Sequence, residues 1–444
     1  VTAVIGILNK SAVAIAADSA VTFGQTQKIL NTANKLFTLS KHHPVGIVIY
    51  NSASFVSIPW EVLIKEYRRS RGTACKDTLS EYATDFVRYA KESIGLISDA
   101  RRKEEVCHSA SKFFQELSDE IRKKVGDAFQ QLPPTERNAE KVHELASSAL
   151  LDAVASRNHR YTAPEVAFID DAALQSYSLD DFLATYDEPL QRTWSQILGQ
   201  YNPDESIKNI AFSTLHKYLQ SEDFNWSNWS GIGIIGYGDK EIYPSCHMLH
   251  FAEVVGGHVR VKTAVKESSQ ISDDNPSAIL PFAQRDVIEG FLTGVRPDLA
   301  AVYNQVFEQF ANALSTDIEN KINELSAQLP PEYSLQAPQL NVPQLVANFV
   351  QQMQDVQEQG IFSPMRQSVM TLSKEDLAEM AESLIHLTYL HRRINSAPES
   401  VGGPIDVAVI SKGDGFIWMK RKFYFRPELN PGFVQNYFSE ERPA

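Results

Sequence analysis

The chain has 444 residues, of which 43% are apolar and 22% charged, the balance of an ordinary globular protein. Its 42 basic against 55 acidic residues leave a net charge of −13, which argues against nucleic acid or an anionic membrane surface as the partner. Three distant cysteines (Cys75, Cys107 and Cys246) make neither a disulfide framework nor a zinc spacing, so a reducing cytoplasm is expected and no metal or other cofactor is.

The first fifty residues read as β. Thr2–Leu8 and Ala12–Asp18 are short apolar or β-branched runs around the polar turn Asn9-Lys10-Ser11. Lys35–Leu39 and Val45–Tyr50 make a second pair. These runs are almost continuously apolar, as in strands covered on both faces. From Pro59 to about Leu219 the pattern turns helical, with segments at Thr78–Ile97, Ser109–Phe129, Thr135–Ala155 and Ile207–Leu219 and looser connections near 130–134 and 156–180. Gly231–Tyr237, Cys246–Val255 and His258–Val265 read as strands again. Helices are expected at Pro281–Leu292, Asp298–Leu329, Gln344–Gln357 and Lys374–Ile394, with a Pro-rich joint at Pro330, Pro331, Pro338 and Pro343. Ile405–Ser411 and Phe416–Phe423 close the chain as a hairpin, since Asp414-Gly415 is a strong turn signal. No run of about 18 apolar residues predicts a membrane span. The start of the chain reads as a strand, without the basic region and cleavage site of a signal peptide.

Chemistry concentrates at the beginning. A Thr stands at position 2, an Asp at 18 and a Lys at 35. A Thr hydroxyl needs a base beside it. A residue at a chain start carries its own, an α-amine with a pKa near ~8 against ~10 for a lysine. Val1 would convert that amine to an amide. The expectation is that Val1 is a start codon read literally, whose Met is removed to leave Thr2 first. Other motifs carry less. In a strand, His247 and His250 point to opposite faces, so with Cys246 they make a poor metal set. Gly231-x-Gly233-x-x-Gly236 matches a dinucleotide fingerprint, but no helix follows to receive a phosphate.

The leading Thr2, the strand end Ala16-Ala17-Asp18-Ser19, Gly24 and the strand opening Asn34-Lys35-Leu36-Phe37 together resemble a proteasome β-type subunit, a member of the N-terminal-nucleophile hydrolases. The Thr2-to-Asp18 spacing matches that pattern, and the Asp18-to-Lys35 spacing is one residue longer. Gly231 to Gly238 is similar to the family's central strand, and Ser400 to Ile410 to its closing strand. The resemblance implies an α+β fold, a four-layer αββα sandwich with extended helical insertions. The sandwich would be a single domain over 1–444, built from about 1–70, 205–295 and 375–425, with insertions at about 70–205 and 296–375. It also implies hydrolysis of a peptide or amide substrate through an acyl ester on Thr2. Asp18 would accept from the amine and pair with Lys35, which would lower the hydroxyl pKa. Possible assembly is a homo-oligomeric ring. Three departures stand out. Where the family offers a Gly N–H as oxyanion donor this chain has Tyr50, Asn51 and Ser52, making Asn51 the candidate. The family's Ser-Gly pair is not recognisable in Ser268–Ser277. Its Asp-x-x-Ser is replaced by Asn395-Ser396-Ala397-Pro398-Glu399-Ser400, leaving Ser400 or Glu399 as the supporting candidate. The alternatives are a catalytically silent scaffold subunit of that kind and a small-molecule amidase of the same fold.

Overall fold

A computed structural model describes residues 3–23, 28–30, 32–328, 330, 340–394, 402–423, 425–432 and 435. It is a mixed α+β protein with antiparallel sheets, divided into two compact units, Val1–Ala33 with Gln270–Ala444, and Asn34–Ser269.

The first unit is built on a five-stranded sheet in the order Ser277–Ala283, Val4–Asn9, Val13–Ala17, Asp406–Ser411, Gly415–Lys420. Strands from the start and the end of the sequence therefore meet at its centre. Ile5 lies opposite Ala16, which lies opposite Val407; Ile7, Ala14 and Val409 form the next row. Both rows face the helix Lys374–Ile394 and pack on its Leu377, Ala381, Leu384 and Ile385. Alanines at 12, 14 and 16 leave the strand without bulk on that face, so the helix comes close. Asn9 fixes the turn of the first hairpin. Its Oδ1 accepts from the Ser11 and Ala12 N–H groups, and its Nδ2 donates to the Val369 and Leu372 carbonyls at the end of the helix Ser363–Thr371. The residues on the opposite face of the sheet, Val4, Leu8, Val13 and Ile15, are buried as well.

One expected helix is corrected. Pro281 does not open a helix: Ser277–Ala283 is a strand, and the helix is Arg285–Thr293, entered through Gln284 at φ +55°. Proline has no N–H to give a ladder, which suits it to an edge strand, and this strand lies at the sheet's edge. Farther on, the helices Pro297–Ser326 and Val342–Gln357 pair along one another, with Phe307 stacked on Phe349 at 4.1 Å between centroids.

The second unit holds strands in the order His258–Thr263, Ser245–Val255, Ser230–Gly236, Val45–Asn51, Leu36–Thr38. One face carries Ile47, Ile49, Ile232, Ile234 and Phe251 against the helices Trp60–Arg71 and Leu79–Glu92. Trp60 stacks on Phe55 at 5.3 Å and meets Phe251 edge-on at 5.1 Å. A second helical core gathers Asp99–Gln131, Ala139–Thr162, Leu179–Leu198 and Glu205–Gln220 around Phe113, Phe114, Trp194 and Trp226. Each of these helices begins where a side chain can cap it: Ser98, Asn138, Ser178 and Asp204 each accept a backbone N–H of the first turn. The helix Leu179–Leu198 carries Phe182, Tyr186, Leu190, Trp194 and Leu198 at four-residue spacing, and Pro189 in mid-run interrupts its sequence signal.

A buried ion pair joins this helical core to the sheet. Arg260 is 0% exposed and donates to Glu253 at 2.7 Å, to Ser227 Oγ, and to the carbonyls of Tyr218, Ser221 and Asp223. Its guanidinium lies 4.8 Å from the Tyr218 ring and 4.7 Å from the Phe224 ring. Burial alone would raise the Glu253 pKa. The charge of Arg260 and the hydroxyls of Ser109 and Ser227 outweigh burial and hold it below the usual carboxylate value. A depressed carboxylate contributes stability above its unfolded pKa near ~4.3, and that contribution fades as pH falls through the folded value. Among the described residues no helix is long and apolar enough to cross a membrane. Arg260→Met leaves Glu253 buried without its cation and should cost about 3–5 kcal/mol in urea unfolding at pH 7, with a smaller loss for the double variant Arg260→Met/Glu253→Met.

Candidate active site

Asp18 follows the strand Val13–Ala17 and is 1% exposed. Its Oδ1 accepts the Ala3 N–H at 2.8 Å, and its Oδ2 accepts from Ala20 at 3.2 Å and Gly402 at 3.1 Å. Its own N–H donates to the Ala3 carbonyl at 3.0 Å. Ala3 is therefore gripped through both backbone groups by one residue, and Ala3 is the residue that follows Thr2 in sequence. Ser19 extends the grip. Its N–H donates to the Gly402 carbonyl and its hydroxyl to that of Pro404. Gly403 takes φ +76° between them, a conformation that favours glycine. Thr2 and Ser400 lie outside the described residues.

Lys35 belongs to the second unit. It stands immediately before the strand Leu36–Thr38, which starts one residue later than expected, and is 3% exposed. Its carbonyl accepts the Ile49 N–H at 2.9 Å. Burying an ammonium is costly unless its environment compensates the charge.

Asn51 ends the strand Val45–Asn51 at φ +66°, and its side chain donates to the Trp229 carbonyl at 2.8 Å. Successive N–H groups along a strand point to opposite neighbours. The Ile49 N–H points to Lys35 on one side of this strand.

One cluster was not foreseen. Tyr50, Gly231 and His250 stand in register across three strands. The Tyr50 ring lies over Gly231, and its hydroxyl donates to Glu267 Oε2 and meets His250 Nε2 at 2.9 Å, while His250 approaches Glu267 at 3.3 Å. The Trp229 ring is tilted over His250 at 4.3 Å. The signal for this cluster lay in Gly231. A Cβ there would stand 2.0 Å from the Tyr50 ring, so the glycine exists to admit the tyrosine. His247 pairs with Ile234 and His250 with Gly231, on opposite faces as their spacing requires. Burial pushes the Cys246 thiol far up, aided by nearby Glu267, so it is not a thiolate nucleophile.

No family model matches the chain, and no curated protein matches it. Among solved structures, a Gly-1 mutant of Anbu from Hyphomicrobium sp. strain MC1 aligns over 100% of both chains at 7% identity and a TM-score of 0.25. Anbu from Yersinia bercovieri, described as an ancestral beta-subunit, aligns over 100% of this chain and 98% of its own at 8% identity and a TM-score of 0.26. Likenesses of that size carry no argument about fold or activity. The assignment to the proteasome β-type, N-terminal-nucleophile hydrolases is therefore corrected: with no matching family model, the chain is not placed in that family. The motifs behind the resemblance are short, and Asp, Ser and Gly at strand ends are what turn chemistry selects in unrelated proteins too.

Gly231→Ala forces its methyl into the Tyr50 ring and should cost about 1–3 kcal/mol in chemical denaturation. Tyr50→Phe, which removes the hydroxyl from His250 and Glu267 but keeps the ring, should cost about 1–2 kcal/mol. Equal, negligible effects would show that the cluster is not held as described.

Proposed function

We propose that the chain is a hydrolase of peptide or amide bonds in which Thr2, once its α-amine is free, attacks the carbonyl and forms an acyl ester. The single observation that supports this most is the grip of Asp18 on both backbone groups of Ala3. A buried carboxylate fastened one residue from a threonine is an arrangement that immobilises a nucleophile, and immobilisation is worth several orders of magnitude in rate. In this reading the amine takes the hydroxyl proton and returns it to the leaving nitrogen, and water then cleaves the ester. Asp18 orients the amine. Lys35, buried at the start of the strand Leu36–Thr38, stabilises the alkoxide. The Asn51 N–H receives the oxyanion, and Ser400 supports the site; Asn51's positive φ and anchored side chain favour a fixed amide.

We also propose the four-layer αββα arrangement, in a single domain with helical insertions. Its support is that each sheet buries the face away from its helices: Val4, Leu8 and Val13 in one unit, Val48, Ile235 and Met248 in the other. A crystal structure with a different layer order would overturn it. Exposed apolar side chains along Pro297–Ser326, including Val302, Val306 and Phe310, support assembly into a homo-oligomer, which native mass spectrometry reads directly. The cytoplasm is proposed as its compartment on the strength of three free thiols.

An electrophile that reacts with both the amine and the hydroxyl of an N-terminal threonine should add once per chain, and intact mass should show the adduct on a chain beginning at Thr2. Lys35→Ala should abolish turnover of a peptide library, with the circular dichroism spectrum unchanged. A purified active protein that still carries residue 1, or a Lys35→Ala variant of undiminished activity, refutes the mechanism. Asp18→Ala is the poorer probe, because it strands three backbone N–H groups and lowers stability by about 2–4 kcal/mol.

A further inference from the structure

In the second unit the helices Asp99–Gln131 and Ala139–Thr162 run side by side, and toward their joined ends they part around a groove of about 560 Å³. The sequence explains the gap. Gly126, Ala139 and Ala146 all line it, and none carries a side chain beyond Cβ. A Cβ built at Gly126 would meet nothing within 4 Å, so the space there is open. The walls are apolar, formed by Val125, Phe129 and Val142. The volume falls within the roughly 300–1,000 Å³ that small-molecule sites occupy.

Among the residues that line the groove, the fixed charge is that of Arg122. Arg122 and His143 line it, and the Arg137 guanidinium lies over the Phe129 ring at 5.8 Å. Among the described residues, the lining contains no carboxylate. Arg122 pairs with Asp119 at a loose 3.6 Å with both side chains 62% exposed, a pairing worth little. In a protein of net charge −13, an apolar groove lined by an arginine is a place that suits an anion. A flexible alkyl chain fits the walls, and an anionic head fits the arginine. A cationic or uncharged amphiphile fits the walls alone.

We propose that this groove binds a small amphiphilic carboxylate, a chain of about eight to ten carbons in reach of the Arg122 guanidinium. The site is independent of the hydrolase reading, since none of its residues belongs to the Thr2 chemistry. A ligand of so few atoms in an open groove binds weakly, with a Kd on the order of 100 µM.

Isothermal titration of the full chain with decanoate tests this. One saturable site per chain is expected. Gly126→Leu fills the groove, replaces glycine by a better helix former, and should weaken binding at least tenfold. Arg122→Gln should weaken decanoate about tenfold while leaving decanol unchanged. If Gly126→Leu lowers the thermal midpoint or fails to fold, Ala139→Leu fills the same groove from the other helix. The proposal is overturned by no saturable binding, by decanoate binding unchanged in the filled variants, or by decanol and decylammonium binding as well as decanoate. A peptide that competes for the groove while decanoate does not bind overturns it too.

Discussion

The first unit depends on a single carboxylate. Asp18 takes hydrogen bonds from Ala3, Ala20 and Gly402, and it gives its own N–H back to Ala3. Those four contacts tie together the entry of the first strand, the exit of the second and the approach to a strand that starts almost four hundred residues later. A buried carboxylate has no substitute for this: its two oxygens accept several N–H groups at once, and nothing smaller or uncharged does so in the same space. The central rows of the sheet, Ile5–Ala16–Val407 and Ile7–Ala14–Val409, follow once the three segments are pinned at one end. That the clasp holds Ala3, the residue after Thr2 in sequence, is why the fold and the proposed chemistry rest on the same residue.

The second unit uses two different devices. Arg260 joins the helical core to the sheet by satisfying five acceptors from several segments, a geometry only a planar guanidinium provides. Gly231 works by absence. Without a Cβ it lets the Tyr50 ring lie flat across the sheet and bring its hydroxyl to His250 and Glu267. Both devices hold irregular pieces, the segment around 221–223 and the turn Val265–Glu267, on a regular sheet.

Local pattern told much of the secondary structure. The hairpin of the first two strands, the strands at 231–236 and 246–255 and the closing hairpin with its turn at Asp414-Gly415 all lie within a few residues of where alternation and turn residues put them. Pro281 misled, because proline is favoured in the first turn of a helix, while its place at a sheet edge is a property of the partner strands. The helix Leu179–Leu198 was obscured by Pro189, although Ser178 and the four-residue spacing of its aromatics were present. Of the candidate site, Asp18 and Lys35 were legible as residue types and the structure finds both buried. The family resemblance was read from the same short motifs and did not survive comparison.

What the sequence determined alone was local: periodicity, caps, turn glycines and the coincidence of a threonine, an aspartate and a lysine near one end. What only tertiary structure decided was which distant groups share a carboxylate, a guanidinium or a glycine gap. Asp18 with Gly402, Arg260 with Tyr218 and Tyr50 with His250 are each separated by scores to hundreds of residues. Hydrogen bonding and close packing act over a few ångströms in space, and a linear pattern carries no record of which segments the burial of apolar surface brings within that range.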